Sequence, residues 1–166
     1  MKKMIRQKKS YKTPSHAWDK QRIERERDVL KNYGLKKKEE IWKAETFLRK
    51  FRRLARKLAA TKDKKTEKII IEKLTKLGVL EENATIDDVL GLTLDKILQR
   101  RLQTVLVNKG LVTTSKQARQ YIVHGHVIIN GRKIMYPSYI VPKDEETKIQ
   151  LRIVPQLKKV EPPVTQ

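Results

Sequence analysis

The chain is 166 residues long, room for one domain or two small ones, and carries 40 Lys and Arg against 19 Asp and Glu, a net charge of +21. An excess that large repels itself and favours a polyanionic partner, nucleic acid first and an anionic membrane surface second. With no cysteine the sequence excludes disulfides, thiolate zinc sites, iron–sulfur clusters and a Cys nucleophile, and its 38% hydrophobic residues suit a modest core better than a large enzyme with a deep pocket.

Residues 1–17 are basic and polar, contain Pro14 and show no apolar period, which predicts an extended arm that orders only on a partner. No apolar stretch follows Met1-Lys2-Lys3 and no run approaches the ~20 residues of a membrane helix, so a soluble intracellular protein is expected. A helix is expected over Asp19–Tyr33, capped by Asp19, with Ile23 and Leu30 inward and Gly34 as the stop. The next, from about Lys38 to Ala60, carries Ile41, Ala44, Leu48, Phe51, Ala55 and Leu58 at spacings of 3, 4, 3, 4 and 3, an apolar stripe for packing. Trp42 and Phe47 widen it as core residues. Arg49, Lys50, Arg52, Arg53, Arg56 and Lys57 surround the stripe, and Arg49, Arg52, Arg53 and Arg56 are candidate RNA ligands.

Thr61–Thr66 reads as a Lys-rich linker, and Glu67–Leu77 as a helix with Ile69, Ile70, Leu74 and Leu77 inward and Gly78 ending it. Thr85-Ile86-Asp87-Asp88 fits a capping box that opens a short helix broken by Gly91, and that position at a helix N-terminus accounts for the paired carboxylates. Residues 1–60 hold 21 basic and 7 acidic side chains, but residues 61–95 hold 6 and 8, which suits scaffold or protein contact better than a nucleic-acid surface.

Leu94–Asn108 is expected as one amphipathic helix. Leu94, Leu98, Leu102, Val105 and Leu106 lie on one side, Lys96, Arg100, Gln103 and Thr104 on the other, with Arg101 at the edge. Thr114-Ser115-Lys116-Gln117 then opens a second helix that ends at Gly125, with Ala118, Tyr121 and Ile122 inward and Lys116 and Arg119 sharing the outer face. Asn130-Gly131 between β-prone runs is a hairpin signal, because both turn positions need positive φ; Arg132 and Lys133 sit at that turn. Thr147–Ile153 alternates as a half-buried strand, and Val154–Gln166 is a Pro-rich tail. Between Asp95 and Asp144 stand nine Lys or Arg and no acidic residue, whereas an ordinary soluble surface mixes both signs. Cations fixed on helices can match the phosphate spacing of a folded RNA, which is read largely by shape. Arg presents a planar fork to phosphate, which ranks Arg100, Arg101 and Arg119 above the lysines. His124 and His126 flank Gly125 without a third ligand nearby, so neither a metal nor a cofactor is expected.

These patterns give an α+β fold: a mostly helical N-terminal domain over 18–95 and a module over 96–153 of two helices and a small antiparallel sheet. Three rivals fit less well. An RNA-modifying enzyme would need a catalytic domain, and the remaining sequence has no Gly-rich phosphate loop or strand-rich region. A DNA regulator of the helix-turn-helix kind leaves the hairpin and the basic N-terminal part unexplained. A membrane-surface helix would need a broad free apolar face, whereas the stripe of 38–60 is for packing on neighbours.

The runs Arg101-Leu102-Gln103-Thr104-Val105, Lys109-Gly110, Ser115-Lys116-Gln117-Ala118-Arg119-Gln120 and His124-Gly125-His126-Val127-Ile128-Ile129-Asn130-Gly131 resemble the RNA-binding module named after small-subunit ribosomal protein S four. Pro14-Ser15-His16-Ala17-Trp18, Tyr33-Gly34-Leu35 and Ile41-Trp42-Lys43-Ala44-Glu45 resemble the archaeal branch of that ribosomal protein family, so the similarity covers nearly the whole chain. The resemblance implies a structural protein, not an enzyme, that binds small-subunit ribosomal RNA early in assembly, at a junction of several helices in the subunit body. It implies ribosomal proteins S five and S twelve as neighbours in translational accuracy, a place near where messenger RNA enters, and a cytoplasmic location in the small subunit. Arg101, Ser115, Arg119 and His126 match RNA-facing positions of the module. Some bacterial members bind zinc through N-terminal cysteines; this chain has none, and no zinc is implied.

Overall fold

Asp19 and Gly34 bracket the first helix, α1 (Lys20–Asn32), in a computed structural model that describes residues 9–61 and 63–152. The Asp19 carboxylate accepts the Arg22 N–H at 3.3 Å, satisfying one of the helix's orphan donors. At the other end Gly34 takes φ +60° and Leu35 N–H reaches back to Leu30 C=O at 2.9 Å, closing the helix with a left-handed glycine. Helix α2 (Lys38–Thr61) places Glu39 and Glu40 in its first turn, where the helix dipole favours negative charge. All six residues of its predicted apolar stripe are buried. Phe47 and Trp42 are half-buried beside it, Phe47 tilted against Phe51 with ring centres 4.7 Å apart.

Helix α3 spans Lys64–Lys76 and starts three residues earlier than the expected Glu67. Asp63, inside the supposed linker, caps it by accepting from Lys65 and Thr66 N–H, and the lysines that follow are good helix formers. Ile69, expected inward, is 64% exposed: the buried line runs through Ile70 and Leu74, and Ile69 sits one 100° step to its side. Helix α4 (Ile86–Leu90) opens on the predicted box, with the Asp88 carboxylate accepting from Thr85 N–H at 2.7 Å and from its hydroxyl at 3.0 Å.

The single helix expected over Leu94–Asn108 is two, α5 (Leu94–Gln99) and α6 (Leu102–Asn108). The backbone breaks at Arg101, which is extended (φ −69°, ψ 139°) and bridges Ile140. Leu102 N–H donates to Tyr139 C=O at 2.8 Å and Val141 N–H to Arg100 C=O at 2.9 Å, so the freed peptide groups are paired by a segment some 40 residues downstream. The break redistributes the apolar stripe. Ile97 and Leu98 join a first core with α1 to α4, whereas Leu102, Val105 and Leu106 belong to a second.

The second core is completed by α7 (Ser115–Val123), by a three-stranded antiparallel sheet and by Val141. Strand β1 (Val127–Ile129) lies between β2 (Arg132–Lys133) and β3 (Ile149–Leu151), with the short helix α8 (Lys143–Glu146) before the last strand. Thr114 caps α7 by accepting Gln117 N–H at 3.3 Å, but the Gln117 side chain returns to Thr113 instead of Thr114. Asn130 and Gly131 take φ +52° and +75°, the two left-handed residues that a two-residue hairpin of this twist needs. Strand β3 is shorter than the expected Thr147–Ile153; Ile153 and the tail 154–166 lie outside the described residues, as do residues 1–8 of the arm. The described part of the arm lies against α2: Tyr11 packs on Trp42 at 5.8 Å, and Lys12 N–H donates to Thr46 Oγ1 at 3.3 Å.

Candidate nucleic-acid interface

Net charge brings a polyanion near, but geometry decides which cations remain for it. Arg101 and Arg119 converge on Glu40. Arg101 Nη2 donates to Glu40 Oε2 at 2.6 Å, and Arg119 grips the same carboxylate with both terminal nitrogens, at 3.1 and 2.9 Å. Glu40 stands in the first turn of α2, Arg101 at the α5–α6 break and Arg119 on α7, so one carboxylate ties the second core to the first. Arg101 is buried with only 7% of its side chain exposed, against 24% for Arg119. Burial alone would raise the Glu40 pKa, but the hydrogen bonds and charge of Arg119 and Arg101 outweigh it and hold the carboxyl below its ordinary value.

Gln103 was expected on the outer face, and its exposure is 0%. Its Nε2 donates to Tyr33 C=O at 3.1 Å, Gly34 C=O at 2.9 Å and Ser115 C=O at 2.8 Å, pinning the end of α1 to the start of α7. The physical reason is the helix break: once α5 and α6 part, the face carrying Gln103 turns against α1 instead of solvent. Ser115 is half-buried in the same contact. Gly34 permits the approach, since a Cβ there would fall 2.8 Å from Ser115 Cβ. Tyr33 adds a hydroxyl donated to Asp95 at 2.9 Å; burial, then that carboxylate, push the phenol up to about 12, so it stays a donor. Arg100 is likewise engaged, with Glu146 Oε2 and Val141 C=O, both at 2.8 Å.

Most of the other candidate cations stay outside. Arg49, Arg53 and Arg56 are exposed on α2, at i, i+4 and i+7, a row about 10 Å long at 1.5 Å per residue. Arg52, next to them, turns in and donates to Leu92 C=O at 2.5 Å. In the module Lys116, Arg132 and Lys133 are exposed and His126 is half-buried. His126 stacks on His124 at 6.2 Å and meets the edge of Tyr121 at 6.0 Å. Lys133 lies across Gly125, where any Cβ would collide with its stem. None of Arg49, Arg53, Arg56, Lys116, Arg132 and Lys133 forms an ion pair among the described residues.

The partition therefore separates the ranked arginines, all three engaged at or near the joint between the cores, and the inturned Arg52 from Arg49, Arg53, Arg56 and Arg132, which are exposed. Sequence reasoning missed Glu40, and also Glu26, a buried carboxylate that takes Arg22, Lys38 and the Trp42 indole N–H. A signal for both was present: Glu40 stands in the first turn of a basic helix, and Glu26 lies three or four positions from Ile23, Val29 and Leu30, on the apolar side of α1. Among the described residues no three His, Asp or Glu side chains gather as a metal site, and no helix is long and apolar enough to cross a membrane. A hollow of about 560 Å³ is an open groove lined by Leu80, Asn83, Asp88, Lys96, Arg100 and Glu146, with Glu146 already bonded to Arg100.

The family profile described as "S4 domain" matches residues 100–146, from the helix break through α8. "Small ribosomal subunit protein uS4" of Nanoarchaeum equitans is 54% identical over 152 residues, covering 89% of this chain and 84% of the relative. The protein of the same name in Methanococcus aeolicus is 52% identical over 145 residues, covering 85% and 82%. That of Saccharolobus islandicus is 45% identical over 161 residues, covering 95% and 88%. Relatives 45–54% identical cover 85–95% of this chain, and the chain belongs to the small ribosomal subunit protein uS4 family.

Proposed function

We propose that this protein is a structural, non-catalytic component of the small ribosomal subunit that binds ribosomal RNA directly through its exposed cations. The observation that carries the reading is the set of helix- and hairpin-borne cations without carboxylate partners among the described residues: Arg49, Arg53 and Arg56 on α2, and Lys116, Arg132 and Lys133 on the module. A flexible lysine tail would have to be ordered by its partner, whereas these side chains start from fixed backbones, which lowers the entropic cost of binding. The Glu40 linkage and Gln103 join the two cation sets into one unit, so that an RNA spanning both meets a preset spacing. Arg101, Ser115, Arg119 and Gln103 act in this reading chiefly by holding the module on α1 and α2, and Arg100 by holding α8. His126, half-exposed beside Lys133, stands at the RNA side of the hairpin.

Binding early in assembly, at a helical junction of the subunit body, with ribosomal proteins S five and S twelve as neighbours in translational accuracy, is the finer part of the proposal. It rests on the family resemblance, as does the cytoplasmic location. The test is crosslinking in growing cells followed by sequencing of the attached RNA, with sedimentation beside it. Small-subunit ribosomal RNA should dominate the crosslinks, and the protein should travel with small subunits and be released by high salt. Recovery only in a free low-mass pool at physiological salt defeats the reading.

A further inference from the structure

Two tryptophans occur in this sequence, and they are treated in opposite ways. Trp42 is half-buried, packs on Tyr11 and donates its indole N–H to Glu26 at 2.9 Å. Trp18 is 93% exposed, the most exposed large apolar side chain among those described. Leaving a whole indole in water forgoes the burial that such a side chain normally supplies, and large exposed aromatics mark contact sites.

The backbone that presents Trp18 is not loose. Arg22 Nη2 donates to His16 C=O at 2.6 Å and to Ala17 C=O at 3.0 Å, the two carbonyls just before the tryptophan. Arg22 is itself held by Glu26 at 3.1 Å. On the far side of Trp18, Asp19 caps α1. Upstream, Tyr11 and Lys12 are tied to α2. The segment is thus anchored on both sides of an uncovered indole. From residue 1 to residue 18 there are six Lys or Arg and no carboxylate, so the field around this end of the protein attracts a polyanion.

We propose that Trp18 is a stacking platform for one unpaired base of RNA. The proposal rests on the RNA-binding reading above and deepens it by naming a contact made to a base instead of to phosphate. An indole offers a π face that any base can cover, and sequence-tolerant stacking on aromatics combined with nearby cations is how single-stranded nucleic acid is held. The preset backbone means that the base, not the protein, has to be ordered on binding.

The test uses the full chain and small-subunit ribosomal RNA from the source cells, with Trp18→Ala and Trp18→Phe compared to wild type. Trp18→Ala should weaken binding by roughly 5- to 140-fold, the range expected for one base stacked on an aromatic ring. Trp18→Phe should retain part of that loss. Neither should move the thermal midpoint, and neither should change the slope of log K against log salt, because no phosphate contact is removed. The emission difference between wild type and Trp18→Phe isolates the Trp18 signal, which RNA should quench. Wild-type affinity and slope in Trp18→Ala, with no quenching, overturn the proposal and leave a protein partner as the reason for the exposed indole. A lost affinity that comes with a lowered thermal midpoint also overturns it, since Trp18 then supports the arm. Failure of the wild type itself to prefer ribosomal RNA over duplex DNA at equal salt defeats the underlying reading instead.

Discussion

Arg53 and Arg101 are the same side chain in opposite circumstances. Arg53 stands on the solvent face of α2 with no carboxylate partner among the described residues, and Arg101 is buried at the helix break against Glu40. In a chain with twice as many cations as anions, the scarce carboxylates decide which arginines are structural. A buried guanidinium without a partner carries a large desolvation penalty, so Arg101 can sit where it does only because Glu40 meets it there. The exposed row on α2 incurs no such penalty and stays available to an outside anion. The helical spacing that places Arg49, Arg53 and Arg56 on one line says nothing about partners, whereas the joint between the cores depends on them.

The sharpest way to break this contrast is to remove the shared anion. Glu40→Gln strands one buried and one partly buried guanidinium beside each other, and we expect a loss of ~3–5 kcal/mol in unfolding free energy, measured by urea titration. An unchanged midpoint would show that Glu40 does not hold the joint. The same linkage has a pH signature. The folded Glu40 carboxyl titrates below its ordinary 4.5, so its stabilising contribution is present above that value and is lost as pH falls through the folded pKa. The stability gap between wild type and Glu40→Gln should therefore shrink in acid, over a series of unfolding curves from about pH 6 to pH 3. A gap that stays constant through that series would mean that the charge of Glu40 contributes nothing.

A smaller effect tests the backbone side of the same joint. Gly34→Ala places a Cβ in the left-handed region and 2.8 Å from Ser115 Cβ, and should cost ~2 kcal/mol, about half from the conformation and the rest from moving α7 away. Its readout is the thermal midpoint together with hydrogen exchange at Ser115–Gln117. Exchange unchanged there would argue that α1 and α7 are not mechanically coupled.

A pair of substitutions separates structural from RNA-binding arginines. Arg119→Ala should lower stability by ~1–3 kcal/mol, as loss of a hydrogen-bonded charge pair does. Arg53→Ala should leave stability within ~0.5 kcal/mol but weaken RNA binding, and lower the salt slope by ~0.7–0.9 if it neutralises one phosphate. The reverse pattern, with Arg53 stabilising and Arg119 changing only the salt slope, would exchange the roles drawn from the geometry.

Most of the elements were legible because their causes are local. The stripe from Ile41 to Leu58 needs only the 3.6-residue period, the hairpin only two residues that tolerate positive φ, and the start of α4 only a threonine three positions before an aspartate. Where local causes compete with distant ones, the reading failed. The stripe Leu94, Leu98, Leu102, Val105, Leu106 is compatible with one continuous helix, and nothing within it announces that Tyr139–Val141 will pair with the peptide groups at Arg100–Leu102. Ile69 is one of three consecutive isoleucines, and the core side of α3 runs through Ile70 and Leu74 with Ile71 and Leu77 partly buried beside them, which leaves Ile69 one 100° step outside.

For the candidate site the division is similar. Read as a string of residues, the chain is already recognisable as a cation-rich partner for a polyanion, with its cations on helices and a hairpin and a family pattern that they follow. Those properties depend on counts, periods and short motifs, all carried along the chain. Which cations are free depends on the folded arrangement. Glu40 and Arg119 are 79 residues apart, as Gln103 and Tyr33 are 70 apart, and no periodicity relates them. Their pairing follows from how two cores dock across a broken helix, and in a low-dielectric joint each charge has to find its partner in space, wherever that partner lies in the sequence.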